Sequence, residues 1–305
     1  MTDSSKLTDL PTSYARGMKE QPKYKWWKPI VAGLLAAVFT MVFIVVVLIV
    51  WAIVAFATGG ANLDAYMSSS TDPSALFDFA GDDPYGLAIT FLPIICIIPA
   101  VGLANKIMGL GGLRCLSSVE GKLRWNRIWA LLPWALLVAF GFLAIELVIS
   151  YITEGPSAFD GAQFPIAAIV VILVLCPLQC AAEEYMCRGF LLQAFSSWIP
   201  AIVIPLVLQA IIFAAMHSYN ALGLVCVLVT GLITGYLAIK TGGLEAGICM
   251  HTANNLMSFL VSAVFVSQQA ETDVSAISCC IDLCLNAAFL VVLYQACKRK
   301  GFLLR

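Results

Sequence analysis

Charge is scarce in this sequence. Lysine and arginine number 17, aspartate and glutamate 18, and histidine 2 in 305 residues, so charged side chains make up 11% against 61% hydrophobic. A soluble domain carries about 25% charged residues, and an ordinary water-exposed surface cannot be built from this chain. Strand-like alternation is absent too. The apolar blocks run for roughly 20 residues without it, which reads as membrane-spanning helices rather than a barrel. No basic patch interleaved with aromatics is present, so nothing points to nucleic acid as a partner. The eleven cysteines include no CxxC with a partner pair at zinc spacing, and none falls in a predicted external loop. They read as small apolar core residues and not as a disulfide framework. The terminal "CKRKGFLLR" is no prenylation signal, its cysteine being too far from the end. No inverted repeat is visible, which disfavours a transporter built from two halves.

What remains is an all-α, polytopic transmembrane bundle of about eight spans, at 30–57, 86–104, 128–151, 164–196, 200–217, 221–240, 244–266 and 276–296. The first block is too long for a signal-peptide core and reads as an uncleaved span. Basic residues fix the orientation. They lie in the N-terminal tail, in the 105–127 loop (Lys106, Arg114, Lys122, Arg124, Arg127), at Lys240, which ends span six, and in the C-terminal tail (Lys298, Arg299, Lys300, Arg305); Arg188 is the one inside a span. Segments 58–85, 152–163 and 267–275 hold none, only acids such as Asp64, Asp82, Asp83, Glu154, Asp160, Glu271 and Asp273. Both termini are thus expected to be cytoplasmic. The expected organisation is a tail (1–29), N-terminal spans (30–160), a core (161–270), and a last span with its basic tail (271–305).

Ionisable residues inside spans are few, and each costs about 2.5–3.5 kcal/mol near the centre of an isolated helix. Glu245 opens span seven and is explained by the helix dipole. Asp282 and Glu146 lie within reach of the interface. "CAAEEYMCRGFLL" (180–192) is harder to explain. Glu184 and Arg188, four apart with the acid first, can pair along one helix face. Glu183 points about 100° away from Glu184 and has no basic residue three or four positions off. Both histidines also fall within spans. His217 ends "FAAMH", and His251 opens "HTANN", with Asn255 one turn along on the same face. If span four runs on to a tight turn at 196–200, Glu183 and His217 stand about 20 and 25 Å above that turn, nearly level.

These three stretches, in order on successive helices, match E-E-x-x-x-R, F-x-x-x-H and H-x-x-x-N. "TGGLEAGICMHTANN" (241–255) adds the usual approach to the third. The region of about 164–262 resembles the CPBP (Abi) family of intramembrane proteases, which includes the CAAX prenyl endopeptidase and bacterial bacteriocin-processing and immunity proteins. The resemblance implies that Glu183 is the base that activates water and that His217 helps hold that water. It implies that His251 and Asn255 donate to the oxyanion, with Glu184 and Arg188 supporting Glu183. It leaves the cofactor open. Glu183, His217 and His251 would be the ligands of a zinc ion, while a metal-free glutamate mechanism needs none. The implied partners are a peptide or membrane-protein substrate and the lipid bilayer; with no plain organellar targeting segment in the sequence, the expected location is the bacterial plasma membrane. Two other readings compete: a non-catalytic immunity or scaffold protein that keeps the polar cluster as structural glue, and a proton-coupled transporter using Glu183.

Overall fold

The structure, a computed structural model, describes residues 13–58, 84–155, 166–264 and 273–304. The acids Asp64, Asp82, Asp83, Asp160 and Glu271 lie outside these described residues. In chain order the helices are α1 (Lys28–Thr58), α2 (Pro84–Ile95), α3 (Ile97–Ile107), the short α4 (Gly112–Ser117), α5 (Trp125–Glu154) and α6 (Ile166–Glu184). A π-helical segment (Tyr185–Leu191) leads into α7 (Leu192–Trp198), followed by α8 (Val203–Ala215), α9 (Ala221–Thr241), α10 (Glu245–Val264) and α11 (Ala276–Arg299). No strand occurs among the described residues, where Ser118 and Gly243 form an isolated bridge. The expected all-α bundle is what folds.

Among the described residues six stretches are long and apolar enough to cross a membrane: Lys28–Thr58, Pro84–Ile107, Trp125–Ile149, Ile166–Trp198, Ala221–Thr241 and Ala276–Arg299. The other two expected spans fall short for different reasons. α8 has only 13 residues, because Pro200 and the turn after it consume the start of the segment. α10 has the length, but His251, Thr252, Asn254 and Asn255 dilute its hydrophobicity. The expected second span is broken at Cys96, between α2 and α3, just after the in-helix Pro93.

α1 shows how such helices pack without water. Its buried residues include Ala32, Ala36 and Ala55, while Leu34, Val38, Val42, Val45 and Ile49 point outward. Lipid is as apolar as leucine, so the small residues that allow close backbone approach face the bundle. Gly33, for one, sits against the Phe190 ring. α10 lies innermost, packed on α5, α6 and α9.

The basic segments meet at one end of the bundle. Lys28 Nζ donates to the Met108 carbonyl (2.8 Å), Arg127 to those of Thr241 and Phe302 (3.0 and 3.1 Å), and the Leu304 amide to Lys240 (2.7 Å). Residues 13–24 are not a loose tail. Tyr14 and Met18 are fully buried, and the Tyr14 hydroxyl donates to the Leu116 carbonyl at 2.6 Å. Glu245, the first residue of α10, does more than meet the helix dipole. Its carboxylate accepts from Arg124 Nε (2.8 Å), Nη2 (2.6 Å) and backbone N (2.9 Å), with both side chains buried. Burial alone would lower the Arg124 pKa, but the Glu245 and Glu120 carboxylates together outweigh it, and the net shift is upward. The approach "TGGLE" is shaped for this pair. Gly242 has φ +70° at the end of α9, and a Cβ on Gly243 would fall 2.2 Å from Arg124 Nη2.

Candidate active site

α6, the π segment and α7 form one rod from Ile166 to Trp198, so "CAAEEYMCRGFLL" is the middle of a long helix, as its length required. The helix widens immediately after Glu184. Single π turns inside α-helices occur often at functional positions. Here the turn carries Tyr185, whose hydroxyl shares a 2.7 Å hydrogen bond with Ser117 Oγ, and Gly189, which lets the rod approach Leu116.

The expected Glu184–Arg188 pair is present, with Arg188 Nη1 3.0 Å from Glu184 Oε1 and both side chains completely buried. The guanidinium also lies 4.2 Å above the centre of the Phe213 ring, which lowers the cost of keeping it out of water. Its nitrogens have no aligned hydrogen-bond acceptor among the described residues.

His251 is inserted between the two glutamates. Its Nδ1 is 3.2 Å from Glu184 Oε1 and its Nε2 3.3 Å from Glu183 Oε2. Two adjacent carboxylates on one helix diverge, and a single imidazole from α10 reaches both because it projects into the angle between them. Glu183 Oε2 is buried and makes no aligned hydrogen bond. The other oxygen, Oε1, accepts from Gln179 Nε2 at 2.7 Å. Gln179 is a member of the cluster that the motifs do not contain, although its place one turn before Glu183 is the signal that could have found it. Its Oε1 in turn accepts from Asn255 Nδ2 at 3.4 Å, and Asn255 Oδ1 accepts from Asn254 at 3.3 Å. The Asn255 amide is thus oriented from both sides, and one of its two N–H donors is uncommitted.

His217 is not inside its helix. α8 ends at Ala215, and His217 follows the capping residue Met216, half-buried. Its Nδ1 lies 2.8 Å from the Phe213 carbonyl. A carbonyl can only accept, so Nδ1 carries the hydrogen and a neutral ring offers Nε2 as an acceptor. Phe213 connects His217 to the rest, its ring centre 4.9 Å from that of His217 and 5.7 Å from that of His251. Of the expected residues, Glu183, Glu184, Arg188 and His251 come together directly, Asn255 joins through Gln179, and His217 through Phe213. A zinc set does not form: among the described residues no three His, Cys, Asp or Glu side chains are grouped to hold a metal ion. Both His251 nitrogens are turned toward carboxylates instead. Elsewhere, Glu146 on α5 and Asp282 on α11 are each partly exposed.

Residues 165–257 match the family model described as type II CAAX prenyl endopeptidase Rce1-like. The resemblance carried by the three motifs is borne out. The matched region begins one residue before α6 and ends two residues past Asn255, so it holds every candidate site residue. The chain is also 29% identical over 209 residues to the uncharacterized protein YyaK of Bacillus subtilis (strain 168), covering 61% of this chain. The chain spans 65% of the length of that curated relative. No solved structure matches.

Proposed function

We propose that this protein is an intramembrane endopeptidase that hydrolyses a peptide bond in a membrane-associated substrate, a prenylated or leader peptide, within the core of residues 161–270. One observation carries the reading. Glu183 is a buried carboxylate with no basic residue three or four positions away on its own helix, held on one oxygen by Gln179 and faced on the other by His251. Burying such a group is costly unless it is used.

In this reading Glu183 takes a proton from a water molecule that the free nitrogen of His217 helps to hold, and the hydroxide attacks the scissile carbonyl. The Asn255 amide has one N–H for the developing oxyanion. His251 joins it as donor when its ring carries a hydrogen on both nitrogens, one toward Glu184 and the other, on Nε2, turned from Glu183 to the substrate as that carboxylate becomes protonated. Glu183 then returns the proton to the leaving nitrogen, so the step balances without another reactant. Glu184 holds the imidazole by Nδ1, and Arg188 holds Glu184. No step runs through a metal. The gathering of the basic segments at one end supports cytoplasmic termini, and the membrane proposed is the plasma membrane of a bacterium.

The test is cleavage of membrane-tethered peptides, prenylated and not, by purified protein, with Glu183→Gln and His217→Ala as controls. Loss of about 10³-fold or more in kcat/KM for the first is expected for a missing base, with an unchanged melting temperature. Full activity in both variants would refute the mechanism.

A further inference from the structure

Eleven cysteines are present and none is bonded, but two of them face each other across helices. Cys226 Sγ on α9 lies 3.3 Å from Cys279 Sγ on α11. Each thiol also points at the other helix's backbone, Cys226 toward the Cys279 carbonyl and Cys279 toward that of Leu222, at 3.8 Å in both cases. Other cysteines lack this arrangement. Cys176 and Cys180 are 4.0 Å apart but on one helix, where a bond would tie nothing together, and Cys280 and Cys284 are exposed on α11.

The setting holds the two backbones in register. Asn220 caps α9 by accepting from the Gly223 amide at 3.0 Å. Its amide nitrogen donates to the Val274 carbonyl at 2.9 Å and to the Asp273 carboxylate. Ser275 caps α11 in the same way through Ser278. The thiols sit one to two turns below this clamp, at the end of the bundle away from the basic segments. That end is the external one if positive charge stays inside, and external faces are where disulfides persist.

We propose that Cys226 and Cys279 form a disulfide across α9 and α11. A bond length of about 2.05 Å asks the sulfurs, now 3.3 Å apart, to approach by a little over one ångström. Cys279 lies in the first turn of α11, where local opening is easiest, and its thiolate attacks a disulfide of the oxidant. The mixed disulfide is then resolved by the Cys226 thiolate, which bonds to Cys279 and expels the second thiol. Two protons and two electrons leave the pair, and the oxidant, a protein or small-molecule disulfide, becomes two thiols. The closed loop encloses all of α10, with His251 and Asn255, and secures the entry of α9 just after His217. The inference is independent of the protease reading.

Membranes containing the full chain are equilibrated with oxidised glutathione, acid-quenched, denatured, alkylated and digested for mass spectrometry. The expected result is a linked peptide joining Cys226 to Cys279, nine alkylated thiols instead of eleven, and loss of the link on reduction and in Cys226→Ser. The melting temperature of the oxidised protein is expected to fall by several degrees on reduction, and that of Cys226→Ser to stay constant. Eleven alkylated thiols, a glutathione adduct on Cys280 alone, or a link to a different cysteine would overturn the proposal.

Discussion

Gly247→Ala tests the site from its back wall. Gly247 lies one turn before His251 on α10, and a Cβ there would fall 2.6 Å from Glu184 Oε2 and 3.3 Å from its carboxyl carbon. Relief needs a retreat of about 0.8–1 Å to reach ordinary contact distance. A surface glutamate would simply swing away. Glu184 cannot, because its other oxygen is held at 3.0 Å by Arg188 and at 3.2 Å by His251. The new methyl therefore strains the pair, the imidazole, or the packing of α10 on α6. Overpacking costs about 1–3 kcal/mol, offset by about 1 kcal/mol of helix propensity gained over glycine. The protein should lose at most about 2 kcal/mol and stay folded. Activity should suffer more, because a displacement near 1 Å at a catalytic group can cost about 10²-fold. We expect kcat/KM to fall 10- to 100-fold, read with a fluorogenic tethered peptide beside thermal unfolding in detergent. Glu184→Asp shortens the offending side chain, so the double variant should lose less than the two single losses combined. Gly247→Ala with wild-type cleavage and melting temperature would refute the reasoning, and so would strictly additive effects.

At the basic end, Arg124→Met strands the buried Glu245 carboxylate and should destabilise the protein by about 3–5 kcal/mol. Arg124→Met combined with Glu245→Leu should recover most of that loss in a denaturant titration. Gln179→Leu keeps the volume but removes the donor to Glu183 and the acceptor for Asn255. We expect kcat to fall about tenfold or more with KM little changed, and an equal fall for Gln179→Ala would be consistent with the same cause. Strong chelation should leave cleavage intact, because Glu183, His217 and His251 are not arranged as ligands; loss of activity restored by zinc would reverse that.

The features written in patterns of apolar length and charge spacing were legible beforehand. Apolar blocks placed the helices, the four-residue offset placed the Glu184–Arg188 pair, and the impossible depth of His217 against a shorter helix carried α6 through to Trp198. Features that depend on meeting another helix were not. Nothing in "YMCRGFL" marks a π segment, whose neighbours α3, α4 and α8 meet it only in the fold. His251 facing both glutamates depends on how α10 is rotated, and one sequence leaves that free. His217 slipped past the end of α8 because a histidine after a long apolar run looks like part of it. Gln179 was overlooked because it is uncharged, although burial makes an amide beside a carboxylate as telling as a charge.

The docked segment at 13–24 has a consequence for how the chain is made. Its partners are Leu116, the Ser197 carbonyl, reached by Tyr24, and the Pro200 carbonyl, reached by Arg16. A ribosome must release about two hundred residues before those sites exist, so the earliest-synthesised of the described residues are among the last to find their places. Until then the underside of the bundle stays open.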